Sequence, residues 1–206
     1  MSQMMSEDLG YLRDLAEAGQ SAPLLSGRFL AWWGGLGTLA YLVHFAMIER
    51  MFGLGPQMLT PLWSGFAAIG LGGFFLLLWR FPPSKPGAAS LGNRVTATVW
   101  KGCGIILFAF FAGVTVRSLL DGQASDGFLW SVPLVLAMYG IGQLTSGRMS
   151  GNPTVEVAGW GAIGGVAIAA LFTGSSLIWL VGAGVAGLTV FLPGVLLMRA
   201  EPGEVV

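Results

Sequence analysis

One histidine and one cysteine stand among 206 residues, and charged side chains make up only 10% of the chain. Each scarcity closes a class of function. A structural zinc site takes four Cys or His ligands, and His44 and Cys103 alone cannot supply them. Cys103 lies inside an apolar run and has no partner for an intramolecular disulfide, so cysteine says little about redox compartment. A soluble domain carries roughly 25% charge to cover its surface; a chain with 10% could not dissolve as a globule. Lys and Arg number ten, as do Asp and Glu, which leaves no global field to attract nucleic acid or an acidic substrate. No nucleophile–base set and no paired carboxylates at a shared depth are present, so neither catalysis nor a cofactor is expected.

What is abundant points to the bilayer. Apolar residues reach 54%, mean hydropathy is +0.75, and glycine occurs 33 times. The sequence predicts an all-α integral membrane protein: six transmembrane helices with a short cytoplasmic amphipathic helix before them. Residues 29–48, 61–79, 97–116, 128–145, 153–173 and 177–198 each come close to the ~20 residues needed to cross ~30 Å of hydrocarbon. Between them stand turn residues: Gly53 to Pro56, Pro82 to Gly87, Asp121-Gly122, Gly151 to Pro153, and Gly174 to Ser176. The organisation is a cytoplasmic segment at 1–27, a membrane domain at 28–199 and a tail at 200–206. Residues 1–20 are polar and acidic, unlike the basic start of a cleavable signal, so the first span is expected to be retained.

Basic residues set the direction. With the N-terminus inside, Arg13, Arg28, Arg80, Lys85, Arg94, Lys101, Arg148 and Arg199 fall on the cytoplasmic side, leaving Arg50 and Arg117 outside. This is the positive-inside bias, and it puts both termini in the cytoplasm. Most tryptophans fall near span ends, at headgroup depth; Trp160 sits deeper, nearer the packed interior. A compact chain whose Asn152-Pro153-Thr154 is blocked as a glycosylation acceptor fits a bacterial inner membrane.

Gly159, Gly161 and Gly164, like Gly182, Gly184 and Gly187, match the spacing of a dinucleotide-binding loop. That loop must follow a strand, and these lie inside lipid-length helical runs, so the nucleotide reading is rejected. Small residues in membrane helices instead let backbones approach. Gly161, Gly165 and Ala169 make one ridge, Ala183 and Gly187 another, and Gly65, Ala68 and Gly72 a third. The short turn between the last two spans predicts that they pack through their ridges. Packing within the chain stands ahead of a homo-oligomer interface. A faint echo between 65–70 and 159–164 is too cheap in glycine and alanine to define an inverted repeat.

Intramembrane ionisable groups mark transport chemistry. At 1.5 Å per residue, Glu156 lies only ~5 Å into its span, Lys101 ~6 Å, and His44 ~22 Å along the first. None reaches the midplane, which offers only Thr38, Tyr41, Tyr139 and Thr189. His44 reads either as a pH-sensitive group or, ahead of that, as a neutral imidazole bonded between helices. Glu156 follows Asn152-Pro153, a cap and first helical residue, and suits the helix dipole there. Pairing of Glu156 with Lys101 is a further expectation from their similar depth. Pro133 and Pro193 fall well inside spans and are read as ordinary bends.

In the N-terminal segment Ser6 can cap a helix whose stripe is Leu9, Leu12 and Leu15. Glu7, Asp8, Asp14 and Glu17 against Arg13 leave it acidic, whereas a helix lying on lipid would be basic. Docking on protein is therefore expected, either on the loop bearing Arg80, Lys85 and Arg94 or on a cytoplasmic partner. The whole predicts a non-catalytic subunit or regulator of a membrane complex, with lipid and a homo-oligomeric or membrane-protein partner. A small passive channel or carrier for an uncharged solute, also oligomeric, is the other reading.

Overall fold

A computed structural model describes residue 24, residues 26–81 and residues 90–200. Every regular element among them is helical, and six helices are long and apolar enough to cross a membrane. They are α1 (Gly27–Ile48), α2 (Leu59–Arg80), α3 (Leu91–Asp121), α4 (Ser131–Ser150), α5 (Pro153–Leu171) and α6 (Leu177–Ala200). The expected N-terminal helix with Leu9, Leu12 and Leu15 lies outside the described residues, as do residues 82–89 and the tail from 201.

The largest departure from the sequence reading is α3. Its 31 residues rise ~46 Å at 1.5 Å each, past the ~30 Å of a bilayer core. The added turns are polar at both ends, which is why hydropathy alone misses them. Ser90 Oγ accepts from Asn93 N at 3.3 Å at the start, and Arg117 pairs with Asp121 at 2.6 Å at the finish. Gly122, at φ 66°, then ends the helix in the left-handed conformation that a residue with Cβ rarely adopts. Pro133 also moves. A 3-10 turn at Asp126–Trp130 delays α4 to Ser131, so Pro133 stands in the first helical turn. Its missing N–H is one of the orphans there, and it bends nothing. Pro193 does interrupt its helix: it follows a π turn at Gly187–Phe191 and removes a donor from the ladder.

Close backbone approach lets dispersion hold such apolar helices together. Glycines set two such antiparallel pairs. In the α1–α6 pair, a Cβ on Gly34 would run into the backbone at Phe191, and one on Gly194 into Ala31. A Cβ on Gly27 would come within 2.8 Å of Met198 N. In the α4–α5 pair, Gly147 lies against the backbone of Glu156, Gly159 against that of Leu144, and Gly140 against Ile163. Gly159, first of the nucleotide-like glycines, is thus a packing residue. The pairs join through α6, where Gly182 meets Val132 and Tyr41. Val132, Leu136, Val155, Ala162, Ala169 and Val190 are fully buried in this four-helix core.

The predicted ridges divide. Gly161 and Gly165 face Thr189 and Val185 of α6, beside the buried Ala169. Gly187 turns instead toward Thr38 of α1, 3.5 Å from where its Cβ would be. Gly65 and Gly72 face no neighbour among the described residues. The contacts of α2 run through Gly70 and Gly73, which lie under the rings of Trp33 and Trp32. An indole placed flat on a glycine gains more contact area than two facing small residues would. These tryptophans are therefore bundle contacts, and Trp32 Nε1 donates to Gly70 O at 3.0 Å. Trp160, expected near the interior, is 51% exposed. The echo between α2 and α5 has no structural counterpart, since α5 packs on both α4 and α6 while α2 leans chiefly on α1.

Candidate functional site

Polar chemistry gathers at opposite ends of the bundle. At the end away from the start of α1 and the end of α6, His44 on α1 is 7% exposed and meets Trp63 of α2 and Trp179 of α6. Trp63 Nε1 donates to His44 Nδ1 at 3.0 Å. An indole nitrogen can only donate, so Nδ1 is the accepting nitrogen and the imidazole is neutral, its proton on Nε2. The ring stacks on Trp179 with centroids 3.4 Å apart and 18° between planes. Tyr41, one turn earlier, meets Trp63 edge-on at 5.9 Å. Together these side chains clamp α1, α2 and α6, with the imidazole as the shared hub.

At the end where α1 starts and α6 finishes, Glu156 has a different partner from the one its depth suggested. Its Oε1 accepts from Arg148 Nε at 2.9 Å, while Lys101 is exposed on α3. The tight turn at Gly151 brings the last turn of α4 beside the first turn of α5, so Arg148 is the cation within reach. Asn152 Oδ1 caps α5 by accepting from Val155 N at 3.2 Å, ahead of Pro153 at the first helical position. The Arg148 guanidinium also lies 5.9 Å from the Trp160 ring. This is a clasp across a helix turn.

The sequence reading passed over the most unusual group. Gln143 of α4 is 0% exposed, and neither its Nε2 nor its Oε1 has a hydrogen-bond partner among the described residues. Thr96 on α3 is 4% exposed, with Oγ1 likewise unpartnered. About one turn further along each helix the hydrogen bonding is complete. Trp100 Nε1 donates to Ser146 Oγ at 3.2 Å, Ser146 Oγ donates to Gly142 O at 2.6 Å, and the Trp100 ring covers Gly142. An unsatisfied buried amide costs about 1–3 kcal/mol per group. The available signal was a carboxamide inside an apolar span with Ser146 three residues on; weighing charge alone hid it.

Among the described residues no three His, Cys, Asp or Glu side chains come together as metal ligands would. Comparison with family models, with curated proteins and with solved structures finds no match to this chain.

Proposed function

We propose that the chain is a non-catalytic subunit or regulator of a membrane complex, acting through lateral helix packing and its N-terminal acidic helix. The proposed setting is a bacterial inner membrane with both termini cytoplasmic. One observation carries the reading: α2 and α3 are long apolar helices that the described residues scarcely cover. Only 6% of the most apolar window of each is buried, against 28% in α1 and 39% in α4 and α6. On these helices Gly65, Gly72, Gly102, Gly104 and Gly113 have no described residue of another element within 4 Å of where a Cβ would stand. Small residues at lipid depth admit close backbone approach by another helix. The placement of Arg28, Arg80, Arg148 and Arg199 toward the end where α1 starts and α6 finishes supports the orientation.

The test joins assembly to flux. Cysteines placed at Gly72 and Gly104 should crosslink, in native membranes, to one partner species in a fixed ratio, be it another copy or a second protein. Leucine at Gly72 should abolish that complex. Crosslinks scattered over many abundant proteins, together with solute flux through liposomes holding the purified chain, would replace this reading with the passive conduit.

A further inference from the structure

We propose that His44 is an acid-operated latch: while neutral it ties residues 59–69 of α2 to α1, and on taking a second proton it lets that half of α2 swing free. The latch lies within the chain and stands whether or not a partner packs on α2. Its bond runs in one direction only. Trp63 Nε1 donates to His44 Nδ1 at 3.0 Å, and a protonated imidazole carries a donor at both nitrogens. Acid therefore sets two N–H groups against each other, and the bond is lost. The new charge has a place to rest. The ring lies flat on Trp179 with centroids 3.4 Å apart, and the face of an indole attracts a cation. Protonation thus exchanges a tie to α2 for a stronger one to α6.

The parts around the bond are built to move. Among the described residues it is the one hydrogen bond between α1 and residues 59–69; the next, from Trp32 Nε1 to Gly70 O, holds the other half of α2. The connection from α1 to α2 is also held in an uncommon shape. Arg50 and Phe52 stand at φ 53° and 56°, a left-handed conformation that is costly for a residue with Cβ. Phe52 is 86% exposed, so packing of its own ring does not keep it there, and freeing α2 lets the turn relax. A proton has a short way to travel: His44 is four residues from the end of α1 at Ile48, roughly 6 Å at 1.5 Å per residue. No fixed charge stands in for it. α2 has no ionisable side chain before Arg80 and α6 none before Arg199, each at the far end, and the turn at 51–58 has none. α4, behind Tyr41, has only Tyr139 and Arg148. On α1 itself Tyr41 is one turn earlier, while Glu49 and Arg50 are exposed past the helix end. Glu49 is also about 140° round the axis from His44. The state of the latch is therefore set by the proton on His44.

His44 is the sole histidine, so its ring can be watched directly by NMR in the full chain in phosphatidylcholine nanodiscs. As pH falls from about 8 to about 4, the isotope-labelled imidazole nitrogens should pass from the Nε2–H tautomer to the doubly protonated ring. The Trp63 indole N–H signal should shift with the same midpoint. Spin labels on Thr60→Cys and Leu177→Cys, in a Cys103→Ala background, report residues 59–69 against α6. That pair should lose its short-distance population over the same titration, while labels on Leu76→Cys and Leu196→Cys, in the other half, keep theirs. His44→Gln retains an acceptor for Trp63 and has no proton to gain, so it should stay closed throughout. A ring that stays neutral down to about pH 4, or one that takes its proton while the first pair holds its distance, would overturn the proposal. So would an acid opening shared by His44→Gln, which would place the cause in carboxylates elsewhere.

Discussion

The four-helix core and the two outer helices are built from the same residues to opposite effect. In α1, α4, α5 and α6 most glycines are contacts, Gly37, Gly164 and Gly184 excepted: Gly34, Gly147, Gly159 and Gly194 each lie where a Cβ would meet another helix's backbone. In α3, Gly102, Gly104 and Gly113 meet nothing, and in α2 the glycines divide between Trp-covered and open faces. Composition cannot tell these cases apart. What separates them is whether another helix's backbone or an uncovered face stands opposite. The same small residue therefore closes the core and leaves the periphery available.

Substitution at the core glycines should break the comparison most sharply. Gly34→Val forces a side chain into the backbone of α6, and should cost about 3 kcal/mol or more by overpacking, read as unfolding of the chain in detergent micelles. The matched change Gly72→Val on α2 should stay within about 0.5 kcal/mol in the same assay, while removing any crosslink to a partner. Equal losses at the two sites would show that α2 is as enclosed as the core. A smaller effect is expected where the aromatic hub ties α2 to the core. Trp63→Phe keeps a ring but loses the donor to His44, and should destabilise by about 1 kcal/mol. His44→Phe should lose a similar amount, and the double variant should fall short of the sum. Smallest of all is the clasp at the other end. With the side chains 62% and 33% exposed, Arg148→Ala should cost under about 1 kcal/mol. Its coupling to Glu156→Gln should be measurable in a double-mutant cycle, whereas Lys101→Ala should show none.

How far these features could be read beforehand follows from the range of the interaction behind each. Six helices were legible because hydropathy accumulates over some twenty neighbouring residues. The cap at Asn152 and Pro153 was legible because it is local. The true ends of α3 were not, since helix propensity continues where hydropathy stops, and Leu91 to Thr96 shows no apolar run. The bonding partner of His44 was hidden because it comes from another helix, nineteen residues on at Trp63. A ridge such as Gly65, Ala68 and Gly72 announces that a helix can be approached, but the residue that fills the adjacent face is named only by the fold. Gln143 escaped for a different reason. An uncharged amide leaves no trace in a count of charges, and only three-dimensional placement shows that its hydrogen bonds go unmade.

The wide turn in α6 has one more consequence. Holding an extra residue between Ala186 and Leu192, it joins two helical halves that are out of phase, the upper turned to Val132 and Tyr41 through Gly182 and the lower to Ala31 through Gly194. Deleting a single residue there would let the ladder close into an ordinary helix and swing one half by about 100° against the other. Gly194 would rotate off its seat and a bulky neighbour would take its place, so the length of this short stretch is as tightly constrained as any side chain in the protein.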